Sequence, residues 1–99
     1  MTGANGVRGE AVIVLAGAER RLCLTLGALA EIETALGVSG VDALAERMRA
    51  LSAQDLMAVL AALLRGGGEP ALAGGLTEAA INPIEAADAV AIAFRAAGG

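Results

Sequence analysis

Alternating apolar and polar positions in the first third of the chain predict a β-hairpin. Residues Glu10–Leu15 (EAVIVL) are β-branched and too short for a stable helix, so they predict a strand. Ala16-Gly17-Ala18 predicts the turn, because Gly17 can adopt a positive φ. Arg20–Leu26 then predicts the returning strand, with three leucines on one face: Leu22, Leu24 and Leu26. Turns of two and of three residues both fit, so the register stays open.

Apolar residues recur at helical spacing from Ala28 onward. This period predicts helices at about residues 28–36, 41–50, 53–65 and 83–96. Gly37 is placed to end the first of them. The predicted apolar stripe of the second helix consists of Val41, Leu44, Ala45 and Met48. The predicted apolar face of the last consists of Ile84, Ala87, Val90, Ala91 and Phe94.

Short polar motifs predict where these helices begin. Ser39 with Asp42 and Ser52 with Asp55 have the spacing of helix N-caps. Asn82-Pro83-Ile84-Glu85 is the strongest such signal, with Asn at the N-cap, Pro at the first helical position and Glu at the third. Residues 69–75 are predicted to be a loop, and residues 76–81 a short helical turn.

These elements together predict an α+β fold, in which an N-terminal β-hairpin packs on a bundle of about four short α-helices. We expect a flexible lead at residues 1–9 and a single domain at residues 10–97. The helix at 53–65 carries leucines on more than one side. It is therefore either a central buried helix or a helix with one side in the core and the other in a docking groove.

Composition narrows the class of function. Hydrophobic residues make up 57% of the chain and Phe94 is its only aromatic residue, so the core must consist mainly of Ala, Leu, Val and Ile. The net charge is −4 and the cations are dispersed arginines, which argues against nucleic acid as a partner. No apolar run approaches the ~20 residues of a membrane span, and the short run after Glu10 is a poor export signal. We expect a cytoplasmic protein with no membrane partner.

The sequence offers no catalytic chemistry. It contains no His, and Cys23 is its single cysteine, so Ser-His-Asp and Cys-His catalytic arrangements, intrachain disulfides and Cys-based zinc sites are excluded. Asp42, Asp55 and Glu85 lie in first helical turns, where capping explains them. Gly66–Gly68 lacks the following Lys-Ser or Lys-Thr of a phosphate-binding loop. We predict no enzyme activity, no cofactor and no metal site.

The order of several motifs resembles a known family. Gly9-Glu10 precedes a strand and a glycine turn, and Leu22–Glu33 (LCLTLGALAEIE) follows. Leu36-Gly37-Val38 and a leucine helix ending in Leu64–Gly68 (LRGGG) complete the order. Together they resemble the small tail proteins of gene transfer agents and related siphophage-like elements, which are described as tail tube proteins or as tail assembly chaperones. The chain departs from the family at the turn, where Asp-Gly is expected and Ala16-Gly17 stands.

The resemblance implies a non-enzymatic role in building a phage-like tail in a bacterium. A tail assembly chaperone coats the tape measure protein and is displaced as the tube polymerises. We predict that the 53–65 and 83–96 helices frame a groove for the tape measure or another tail protein, with these partner-binding residues: Leu56, Leu60, Leu63, Leu64, Ile84, Val90 and Phe94. The alternatives are a structural tail tube component of a gene transfer agent or prophage, found with phage-like particles, and a generic helical homo-oligomeric module.

Overall fold

The computed structural model describes residues 10–98. The predicted flexible lead at residues 1–9 lies outside this range. The described chain runs through β1 (Glu10–Leu15), β2 (Ala18–Cys23), α1 (Leu26–Leu36), α2 (Val41–Arg47), α3 (Ala53–Gly66), α4 (Pro70–Gly74) and α5 (Pro83–Gly98). The predicted α+β class, with an N-terminal hairpin followed by helices, is confirmed.

The hairpin closes with a two-residue turn. Leu15 pairs with Ala18, so that Ala16 and Gly17 form the turn, with φ values of 53° and 82°. Positive φ at both central positions matches the right-handed twist of the strands, although it costs Ala16 about 1 kcal/mol. This register pairs Ala11 with Leu22 and buries both on the inner face, which settles the alternative that the sequence left open.

The returning strand ends three residues earlier than the pattern predicts. β2 stops at Cys23, because Thr25 caps α1 by accepting a hydrogen bond from the Ala28 amide at 3.0 Å. Leu26 is consequently the first residue of a helix and is 83% exposed. The predicted leucine face is therefore wrong for Leu26, and Leu24 is only half-buried.

Most of the helix ends follow the predicted signals. The Ser52 hydroxyl accepts from the Asp55 amide at 3.1 Å, and the Asn82 side chain accepts from the Glu85 amide at 2.7 Å. The Ser39 N-cap is wrong, since Gly40 occupies that position without a side-chain cap. The Glu33 carboxylate instead accepts from the Gly40 amide at 3.0 Å, which ties the start of α2 to α1.

Two C-terminal assignments also differ from the prediction. Residues 70–74 form helix α4, with Pro70 in its first turn, where the sequence predicts a loop. The buried face of α5 is rotated from the predicted one and consists of Ala86, Ala89, Val90 and Ala93. Ile84 is 74% exposed, and Ala87 and Ala91 are exposed. Alanines suit the inner face because they let α5 approach the core closely.

Helix α3 is the centre of the core. It packs against α1, α4, α5 and β2, and residues 59–64 are all buried. Leu60, Leu63 and Leu64 are 2%, 0% and 0% exposed. No polar or charged side chain is buried within residues 10–98. Of the two interpretations of this helix, a central buried helix is therefore the correct one for these leucines.

The C-terminal end of α3 meets the backbone of β2. A Cβ atom at Gly67 would collide with the Arg21 carbonyl oxygen and lie 2.9 Å from the Leu22 nitrogen, and one at Gly66 would collide with the Cys23 carbonyl oxygen. Gly67 has a φ of −89°, which any residue adopts, so space rather than conformation requires glycine. Next to this contact the Glu69 carboxylate accepts from the Arg21 amide at 3.0 Å, which satisfies an edge group of β2.

We expect Gly67→Ala to lower the free energy of unfolding by about 2–3 kcal/mol, because the neighbouring atoms are backbone and cannot rotate away. Urea denaturation monitored by circular dichroism measures the change. Gly74→Ala is the matched control, since a Cβ there meets nothing within 4 Å and alanine favours helix α4. Equal stability of the two variants would show that the close backbone contact is not needed.

Candidate partner-binding groove

An apolar groove opens between α2 and α5. Its volume is about 570 Å³. Its lining consists of Val41, Leu44, Ala45 and Met48 of α2, Leu51 of the following link, Leu56 of α3, and Ala87, Val90, Ala91 and Phe94 of α5. The lining contains no charged side chain, and its size is that of pockets that bind a ligand or a few side chains of a partner.

The α2 wall of the groove is weakly anchored. Leu44 is the buried residue of α2, whereas Val41 is 69% exposed and Ala45 is exposed. Arg47 forms an ion pair with Asp55 at 2.8 Å, which links the end of α2 to the first turn of α3. Exposed apolar side chains beside a cavity are unfavourable in water, so this surface is stabilised when another molecule covers it.

The predicted partner-binding residues divide into three groups. Leu56, Val90 and Phe94 line the groove together. Leu60, Leu63 and Leu64 lie in the core, because this part of α3 packs against β2 and three other helices, and they offer no surface to a partner. Ile84 is exposed on the outer face of α5, away from the groove lining. A role in partner binding stays a prediction for the accessible members.

Sequence reasoning missed the α2 wall. The stripe of Val41, Ala45 and Met48 is visible in the sequence, but its spacing is the same as that of a core-facing stripe. Ala87 and Ala91 belong by their spacing to the predicted apolar face of α5. The rotation of α5 away from that predicted face moves these two alanines into the groove.

Several titratable side chains of residues 10–98 form ion pairs. Within residues 10–98 no three His, Cys, Asp or Glu side chains gather as metal ligands. Over the same range no helix is both long enough and apolar enough to cross a bilayer. The carboxylates of Glu10 and Glu31 pair with Arg21 and Arg65, respectively. These pairs join neighbouring elements and are therefore structural.

Comparison with protein families identifies the chain. The family model described as "Phage tail tube protein, GTA-gp10" matches residues 8–97, which include the hairpin, helices α1 to α4 and all but the last residue of α5. The chain belongs to this family. No curated protein and no solved structure matches it significantly. The resemblance to gene transfer agent and phage tail proteins is thereby confirmed, and membership of the GTA-gp10 family is consistent with a role in a phage-like tail.

In this GTA-gp10 family protein, Asp55 of α3 links that helix to α2 through its ion pair with Arg47. Partial desolvation opposes its ionisation, but the Arg47 guanidinium and the hydrogen bonds at Ser52 outweigh it and hold the pKa of Asp55 below its ordinary value of 3.8. A lowered pKa in the folded state means that ionised Asp55 stabilises the fold above that ordinary value. This stabilisation is lost as the pH falls through the lower folded-state pKa.

We expect Asp55→Asn to lower the stability near neutral pH and to lose part of the acid dependence seen in the wild type. Urea unfolding at about pH 7 and about pH 3 measures both effects. Asp42→Asn is the control, because Asp42 lies in a first helical turn but forms no ion pair within the described range. If Asp55→Asn and the wild type lose the same stability between the two pH values, the ion pair does not stabilise the fold.

Cys23 is expected to react slowly with alkylating reagents. Burial and the nearby Glu10 carboxylate raise the pKa of its thiol, so that less of the reactive thiolate is present at a given pH. Iodoacetamide at about pH 8 should modify the folded protein several-fold more slowly than the same protein in denaturant. Equal rates in the two states would contradict this assignment.

Proposed function

We propose that this GTA-gp10 family protein is a tail assembly chaperone that holds a helical segment of the tape measure protein in the α2–α5 groove. It acts by binding in the bacterial cytoplasm and carries out no reaction. The observation that carries the proposal is the groove itself, an exposed apolar channel between two helices in a protein of a phage tail family. An amphipathic helix lays its apolar face into such a groove.

The chemistry of the groove suits a contact that is made and later released. Phe94 is the one aromatic side chain of its lining, and Ala45, Ala87 and Ala91 contribute little area each. The binding energy is therefore spread over many small contacts without a large aromatic anchor. A polymerising tail tube can displace such a coat one segment at a time.

A second candidate is a structural component of the tail tube, which the family description as a phage tail tube protein favours. The sheet described in residues 10–98 has two strands, and a tube wall built from sheets requires more strands than one hairpin provides. Mass spectrometry of purified mature particles separates the candidates. A tube component remains at ring stoichiometry, whereas a chaperone leaves before the particle is complete.

The groove is tested by a single charge placed in its wall. Ala45 is exposed and lines the groove, so Ala45→Glu should fold normally. A docked apolar helix would bury the new carboxylate without a partner, and we expect at least about ten-fold weaker capture of the co-expressed tape measure protein. Pull-down followed by quantitative immunoblotting measures the loss.

Ala30→Glu is the matched control for this variant. Ala30 is an exposed alanine in the middle of α1, on a surface outside the groove lining. Thermal unfolding of both variants establishes that each is folded. Capture of the tape measure protein by Ala45→Glu at the level of the wild type and of Ala30→Glu would exclude the groove as the docking site.

A further inference from the structure

The outer face of α5 carries a row of four residues, called the seam below, most of which lie outside the groove lining. Ile84, Asp88, Ala91 and Arg95 follow one another at intervals of four, three and four residues, on the side of the helix opposite its buried alanines. This is the spacing at which two helices pack side by side. Ile84 is 74% exposed and Ile92, which flanks the seam, is 40% exposed.

The two charges on this seam lack partners along their own helix. Asp88 has Ile84, Glu85, Ala91 and Ile92 at the positions three and four residues away, where a helical ion pair would form. Arg95 likewise has no acidic side chain at these distances. Neither residue takes part in the ion pairs found among residues 10–98. Seven residues apart, they also do not contact each other.

We infer that α5 pairs in antiparallel orientation with α5 of a second copy of this chain. With the two-fold axis between Ala91 and Ile92, residue 88 of one chain faces residue 95 of the other. Asp88 then meets Arg95 of the partner subunit, and Arg95 meets Asp88 of the partner subunit. A parallel pair would place like charges together, so the charge pattern selects the antiparallel one.

The apolar residues of the seam fit the same arrangement. Ala91 lies at the centre, where a small side chain allows the two helices to approach closely. Ile92 packs across the axis against Ala91 of the partner subunit, and Ile84 covers the far end of the seam. Ala91 also lines the groove, so the dimer contact and the groove share this residue. This pairing does not depend on the proposed function, because it follows from α5 alone.

The 99-residue chain, with a monomer mass of 9.7 kDa, is the sample for the test. Sedimentation equilibrium should show a wild-type mass that rises toward the dimer with concentration. Asp88→Arg places two arginines opposite each other at both ends of the seam, and Arg95→Asp places two aspartates there. We expect each variant alone to dimerise at least about ten-fold more weakly.

Mixing the two variants provides the decisive comparison. In a heterodimer of Asp88→Arg with Arg95→Asp, each introduced charge faces the other, and the two native charges also face each other. Every facing pair then consists of one arginine and one aspartate, so an equimolar mixture should regain the wild-type association. Thermal unfolding of each variant checks that the monomer fold is intact, since both positions are exposed.

Three results would overturn the inference. The first is a wild type that is monomeric at all concentrations. The second is a dimer that is insensitive to either charge reversal. The third is a mixture of the two variants that fails to associate although each variant is folded.

Discussion

The fold depends on one place where two backbones touch without side chains between them. The last turn of α3 rests directly on β2, with Gly66 and Gly67 against the carbonyl groups of Arg21 and Cys23. The contact fixes the distance between the hairpin and the central helix, and helices α1, α4 and α5 all pack against that central helix. Leu15 and Leu22 of the hairpin belong to the same buried cluster as the leucines of α3.

Local signals are sufficient to predict part of this architecture. Ser52 and Asn82 cap helices as their sequence motifs predict, because a cap involves only the next three residues. The register of the hairpin and the role of Gly66–Gly67 depend on contacts between distant segments, which spacing alone does not encode. In the sequence alone, three consecutive glycines after a helix indicate only that the helix ends there. Their steric reason becomes visible only when β2 is placed beside them.

The groove shows a different limit of sequence reasoning. Hydropathy identifies apolar residues but does not say which of them remain uncovered, so it predicts partner contacts for the leucines of α3 as well as for the apolar face of α5. The structure buries Leu60, Leu63 and Leu64 in the core, whereas Ala87, Val90, Ala91 and Phe94 of the predicted α5 face line the groove. Alanine is small enough to serve either face of a helix, and in a chain so rich in alanine the pattern does not determine the rotation of α5 about its axis.

The anchoring of α2 by Leu44 has a consequence for motion. Helices held by few buried contacts open locally at a much lower free energy than the global unfolding of the protein, whereas α3, whose residues 59–64 are all buried, opens only when the whole domain unfolds. Amide hydrogens of α2 should accordingly exchange with solvent long before those of α3. One wall of the groove can therefore swing while the opposite wall, α5, stays fixed. In the proposed complex, the width of the opening would adjust to the residues of the bound polypeptide, so that a single site could serve many non-identical segments along one long chain.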